Sequence, residues 1–203
     1  MNEAFFSLPN ERQQAILNAG YRVFSQNTYK KTPVGEVAAA AGISKSLLFY
    51  YFRNKQELYL FLWENCVRIT TEYMHRYDCY SQTNLFEMLS RGMQAKIRIM
   101  HEYPEIGSFA IKAFYEEDPS VADAIHKSYE RYKNADAKDA LACLDPSQFK
   151  EDIDLRMMYR EMYLASEGYL WEMLRKSPFN IEEMEQDFAE MIAFWKHLYL
   201  KEP

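Results

Sequence analysis

Apolar residues recur along this chain at three- and four-residue spacing, the periodicity of helices buried on one side. The first such stretch runs from about residue 10 to 26, with Ala15, Ile16, Ala19, Val23 and Phe24 as its expected inner stripe. A second, short stretch sets Val34, Val37, Ala38 and Ala41 on one narrow face. A third begins near Asn54 and continues through Leu58, Phe61, Leu62 and Val67. Further on, Pro104 separates a helix of roughly 84–102 from one of roughly 105–116, and Pro119 opens another. The Asp145-Pro146 break precedes an expected helix over about 148–176, which Ser177-Pro178 ends. Asn180-x-x-Glu183 reads as a capping box for the last helix. No stretch alternates with the period of a strand, and few glycines and prolines interrupt the pattern, so the expected fold class is all-α.

Residues 32 to 58 carry most of the functional information. Thr32 is a good N-cap, and Pro33 suits a first helical position, where its missing N–H costs nothing. The small alanines that follow let a second helix approach closely. Gly42 can take the left-handed conformation that ends a helix, Ile43 fills the corner, and Ser44 caps the next helix. Two short helices joined by a tight turn are the layout of a helix-turn-helix, whose second helix enters the DNA major groove. On a helix starting after Ser44, the residues Lys45, Ser46 and Leu47 lie where base edges are reached. Lys45 can donate to guanine, Ser46 is a short adaptable partner, and Leu47 can touch a thymine methyl. Tyr50 and Tyr51 can hydrogen-bond phosphates, while Leu48 and Phe52 are expected in the core. Lys55 adds positive charge beside the free N–H groups of the following helix.

Across Thr32-x-Val34-x-x-Val37-Ala38-x-x-Ala41-Gly42-Ile43-Ser44-Lys45 and Leu48-Phe49-Tyr50-Tyr51-Phe52-x-x-Lys55-x-x-Leu58 the chain resembles the TetR/AcrR-type family of bacterial transcriptional regulators. The match runs from about Glu11 to Leu62. The resemblance implies phosphate contacts around Thr32, Ser44, Tyr50, Tyr51 and Lys55, and base contacts around Gly35, Lys45 and Ser46. It further implies repression as the default mode, a homodimer formed through the last two long helices, and release from DNA by a small organic effector. Two positions depart from the family pattern. Phe49 stands where most members carry tyrosine, which removes one hydroxyl from the phosphates, and Ser46 stands where glycine is frequent.

Charge sharpens this picture. A net charge of −6 looks wrong for a nucleic-acid binder until it is divided along the chain. Residues 1–60 hold seven Lys/Arg against four acids, so +3, which leaves −9 for residues 61–203. A basic end suits phosphates, and the acidic remainder suits another task. The expected organisation is a helix-turn-helix DNA-binding domain over 1–58 and a larger helical effector-binding and dimerisation domain over 59–203. The helix beginning near Asn54 connects them.

In that larger domain, Met184, Phe188, Met191, Ile192, Trp195, Leu198 and Tyr199 form one long apolar stripe, and Ala165 and Gly168 permit close helix approach. Both features suit either a dimer interface or the domain's own core. A two-fold dimer would place its recognition helices one DNA turn (about 34–36 Å) or a multiple apart, on a near-palindromic double-stranded operator. Trp63, Met93, Phe109, Phe114, Tyr132, Tyr163, Glu167 and Trp171 are candidates to line an effector site. Each taken singly also reads as an ordinary core residue. Buried carboxylates among aromatics and methionines would favour a cation.

Other classes find little support. No HExxH, GxSxG, GxGxxG or P-loop occurs, and His75, His101, His126 and His197 lack ligand spacing, so neither catalysis, metal nor cofactor is expected. Cys66, Cys79 and Cys143 form no CxxC pair and are expected as reduced thiols. No apolar run approaches the roughly 18 residues of a membrane span, and the first residues lack a basic start, so a cytoplasmic protein is expected. The competing reading is a DNA-bound adaptor of the same fold whose larger domain binds a protein partner.

Overall fold

The computed structural model describes the backbone of residues 3–82, 84–142, 144–175 and 180–201, and the side chains of the same residues other than 134–142, 174 and 175. Among the described residues it is all helical: α1 Glu3–Phe6, α2 Asn10–Gln26, α3 Val34–Ala40, α4 Lys45–Tyr51, α5 Lys55–Arg76, α6 Leu85–Glu102, α7 Ile106–Phe114, α8 Ala122–Ala142, α9 Leu155–Arg175 and α10 Ile181–Tyr199. Short-range chemistry fixes most of these ends. Gly42 sits at φ +67°, with its N–H on the Ala39 carbonyl and the Ile43 N–H on the Ala38 carbonyl, so α3 closes in a Schellman turn. The Ser44 hydroxyl accepts the Leu47 N–H at 3.1 Å and starts α4. Asn54 accepts the Glu57 N–H while the Glu57 carboxylate accepts the Arg53 N–H, a reciprocal cap on α5. Asn180 accepts from Glu182 and Glu183 and starts α10.

Three sequence expectations need correction. Thr32 does not cap α3: its hydroxyl donates to the Thr28 carbonyl at 2.8 Å, and Pro33 occupies the cap position. Ala15 is exposed, and the buried face of α2 is formed by Ile16, Leu17, Ala19, Gly20, Tyr21, Val23 and Phe24. The long ninth helix begins at Leu155 instead of near 148. Asp145 closes a single 3-10 turn at Pro146–Gln148, Phe149 pairs with Leu200 in an isolated bridge, and Asp152 turns left-handed at φ +68°. Asp154 then accepts from the Arg156 and Met157 N–H groups and restarts the helix. The expected stop at Ser177-Pro178 and the third cysteine, Cys143, lie outside the described residues. Cys66 and Cys79 are buried free thiols.

The chain divides into two compact units, Met1–Ile69 with Met100–Tyr132, and Thr70–Ile99 with Lys133–Pro203. This division cuts across the expected boundary at 58/59, because the core of the first unit recruits α7. Phe109 is fully buried, its ring 5.2 Å from Tyr21, 5.4 Å from Tyr59 and 6.4 Å from Phe24. Polar contacts reinforce the packing: Lys112 donates to the Ser25 carbonyl, and Glu116 accepts the Tyr29 N–H at 2.7 Å. Gly20 permits the closest approach, since a Cβ there would stand 2.7 Å from Leu62 Cδ1.

The second unit is built differently. Met184, Phe188, Ile192 and Trp195 of α10 are buried in it with Met158, Met162 and Met173 of α9. Tyr169 donates to Asp187 at 2.9 Å and Tyr199 to Glu161 at 3.1 Å, tying α9 to α10 twice. Burial and then the carboxylate partner push the pKa of both phenols up.

Candidate nucleic-acid interface

The helix-turn-helix presents α4 with a clean division of labour. Leu48 and Phe52 are fully buried and Tyr51 nearly so, which anchors the helix from behind. Lys45, Ser46, Leu47 and Tyr50 are exposed, Tyr50 at 59%, and Phe49 is half-buried. The Lys45 ammonium stands 5.8 Å from the Phe49 ring centroid, so an apolar ring borders the charge. Ser44 is exposed, and its cap uses the hydroxyl as acceptor, leaving the hydroxyl hydrogen to donate. Gly35, on the outer face of α3, opens onto space with nothing within 4 Å of an ideal Cβ. Lysine, short hydroxyl and apolar side chains at the start of an exposed helix are groups that meet base edges, while tyrosine and serine hydroxyls meet phosphates.

Three of the expected contacts sit differently. Thr32 is buried at 4% exposure and its hydroxyl is committed to Thr28. The Tyr51 ring lies inward, 6.1 Å from Phe5 and 5.8 Å from Tyr50. Lys55 is half-buried: its ammonium donates to the Lys30 and Thr32 carbonyls at 3.0 and 3.4 Å and lies 4.9 Å from the Tyr29 ring centroid. This lysine therefore holds the turn ahead of α3.

The motif geometry coincides with a family match over residues 16–61, to the family described as bacterial regulatory proteins, tetR family. Over those residues the chain matches the DNA-binding segment of that family. The proteins it is similar to are transcriptional regulators. It is 21% identical over 206 residues to the HTH-type transcriptional regulator AcrR of Shigella flexneri, covering 94% of this chain and 90% of that one. It is 29% identical over 76 residues to the biofilm operon icaADBC negative transcriptional regulator IcaR of Staphylococcus epidermidis, covering 36% of this chain and 41% of that one. A solved structure of a putative transcriptional regulator from Saccharomonospora viridis, in complex with choline, shares the fold with a TM-score of 0.65 at 16% identity, covering 95% of this chain and 98% of that one.

The expected effector residues come from both units. Trp63, Phe109, Phe114 and Tyr132 belong to the first unit, and Met93, Tyr163, Glu167 and Trp171 to the second. Phe109 is core, Trp63 and Met93 are buried, Phe114, Tyr132, Tyr163 and Trp171 are half-buried, and Glu167 is exposed. The Trp63 indole N–H is buried without a hydrogen-bond acceptor.

The expected interface residues all lie in the second unit but on different faces. Phe188, Ile192 and Trp195 point into the protomer's own core, whereas Ala165, Met191 and Tyr199 are half-buried and Gly168 is exposed. The large apolar side chains that this unit leaves exposed are Met157 and Leu164 on α9, at 59% and 57% exposure, with Phe194 and Leu198 on α10. Seven- and four-residue spacings set each pair on one side of its helix, and Gly168 shares the α9 side. The spacing was available in the sequence. What hid these residues is that the neighbouring inward face is equally apolar.

Proposed function

We propose that the protein is a repressor that binds a near-palindromic operator as a homodimer and is released by a small organic effector. The observation that carries the DNA reading is the exposed Lys45-Ser46-Leu47 edge of α4, mounted on a buried Leu48, Tyr51 and Phe52. Lys45 and Ser46 read bases, Leu47 meets a thymine methyl, and Ser44 and Tyr50 hold phosphates. Lys55 contributes by fixing the turn that leads into α3. The dimer reading is supported by the outward Met157, Leu164, Phe194 and Leu198, which a second copy would cover with the same face. Repression fits the negative regulator among the relatives and needs nothing beyond occupying a promoter.

The effector acts only if it binds the DNA-incompetent arrangement more tightly than the competent one. The choline complex of the related fold and the acidic remainder of the chain make organic cations the first class to test. Fluorescence anisotropy on duplex from the gene's own upstream region, with random duplex as competitor and salt varied, tests the regulator. Competitor-resistant binding with a steep salt slope is the expected result. Binding no tighter than to random duplex would defeat the local-operator reading. Light scattering tests the dimer, and a 24 kDa species alone at micromolar concentration would defeat it.

A further inference from the structure

Behind the recognition helix lies a residue outside both the helix-turn-helix and the matched segment 16–61. Phe5, on the one-turn α1, is 1% exposed although it lies so close to the start of the chain. Its ring sits 5.1 Å from Phe52, 5.3 Å from Phe61 and 6.1 Å from Tyr51. Tyr51 and Phe52 are the last residue and the C-cap of α4, so Phe5 wedges the rear of the helix that faces DNA. Tyr51 in turn meets the ring of exposed Tyr50 at 5.8 Å. The wedge is itself clamped. Gln13 of α2 donates its amide to the Phe6 and Leu8 carbonyls at 3.3 and 2.9 Å, and the Ser7 N–H returns to Glu3. The turn carrying Phe5 is thus pinned to the first turn of α2 on one side and to α4 on the other.

We infer that Phe5 is a positioning residue for DNA recognition, fixing the angle at which α4 presents Lys45 and Tyr50. Aromatic pairs have preferred geometries, and here Phe5 meets Tyr51 and Phe61 edge-on and Phe52 at a tilt, so the four rings specify a helix orientation more narrowly than aliphatic packing would. Phe5 is buried at 1% exposure and does not itself meet DNA. It acts through Tyr51 and Phe52, and the cost of misplacing α4 falls on base reading more than on phosphate attraction, because base contacts need alignment and charge attraction does not.

The test uses the full chain and an operator selected from random duplexes with the unaltered protein. Phe5→Ala, Phe5→Leu and Phe5→Tyr are compared for operator and random-duplex affinity, and for amide hydrogen exchange in the free protein, at temperatures well below each midpoint of unfolding. Phe5→Ala is expected to lower the operator-to-random ratio about tenfold or more. It should also speed exchange at residues 48–52 while leaving α9 and α10 unchanged, and Phe5→Tyr should restore most of the ratio. A merely structural role would lower both affinities in equal proportion. That outcome, or a ratio within twofold of the unaltered protein, overturns the inference. If Phe5→Ala does not fold, Phe5→Leu carries the comparison under the same criteria. Should no operator be selected, the operator reading fails on its own, and exchange at 48–52 decides the wedge: unchanged protection overturns it.

Discussion

The two units of this chain leave different side chains on their helices facing solvent. In the first, what α4 leaves outside is a lysine, a serine, a leucine edge and a tyrosine, with Phe6 of α1 also exposed. In the second, the core closes around Phe188 and Trp195, yet Met157, Leu164, Phe194 and Leu198 are left facing solvent. The first surface suits a polar, charged partner that keeps its water; the second suits an apolar one that sheds it. Within one polypeptide, burial of the core says little about function, and the residues left over on each unit say most.

The sharpest way to break this contrast is to compare two phenylalanines on the same helix. Phe188→Ala removes a buried ring and is expected to cost the protomer about 3–5 kcal/mol, read as a shift in urea unfolding. Phe194→Glu is expected to leave that unfolding nearly unchanged while weakening self-association by about 2–4 kcal/mol, measured by sedimentation. If the Phe194 variant remained as associated as the parent, the outward face would not be an interface.

For the first unit, Lys45→Ala is expected to cost about 1–3 kcal/mol on the operator, with a much smaller loss on random duplex in the same anisotropy titration. Gly20→Ala gains helix propensity but drives a methyl against Leu62 in a full core, for a net loss of about 1 kcal/mol in urea unfolding. The smallest effect concerns Tyr21. Burial holds its phenol well above the ordinary value, so the unfolded chain gives up that proton first. Its contribution is whole below about pH 10 and declines as pH rises beyond, towards the folded-state value. Tyr21→Phe should therefore flatten the fall of the urea midpoint between neutral and strongly alkaline pH. A slope identical to the parent's would place that alkaline sensitivity elsewhere, with buried Tyr59 the next candidate, its phenol also raised by burial.

What was legible in the sequence follows the range of the interactions involved. The Gly42 turn and the Ser44 and Asn180 caps depend on residues within a few positions, and each is found where the sequence puts it. The start of α9 was misread because the Phe149–Leu200 bridge joins residues about fifty apart, and no local signal announces it. The stripe on α10 was visible, but its two apolar faces adjoin, and only the packing of the protomer separates inward Phe188 from outward Phe194. Thr32 and Lys55 illustrate a further limit: the right residue types stand at the right spacing, yet the hydroxyl of one and the ammonium of the other are engaged with nearby carbonyls. Composition alone also could not sort eight aromatic, methionine and acidic candidates into two separate units.

The recruitment of α7 into the first unit has a consequence for anyone building hybrid regulators. A chimera cut after residue 58 would carry the reading head without Tyr59 or Phe109, leaving Tyr21 and Phe24 facing a foreign surface. A transplant that keeps its grip on DNA has to move two separate stretches of gene, 1–69 and 100–132, as a single cassette.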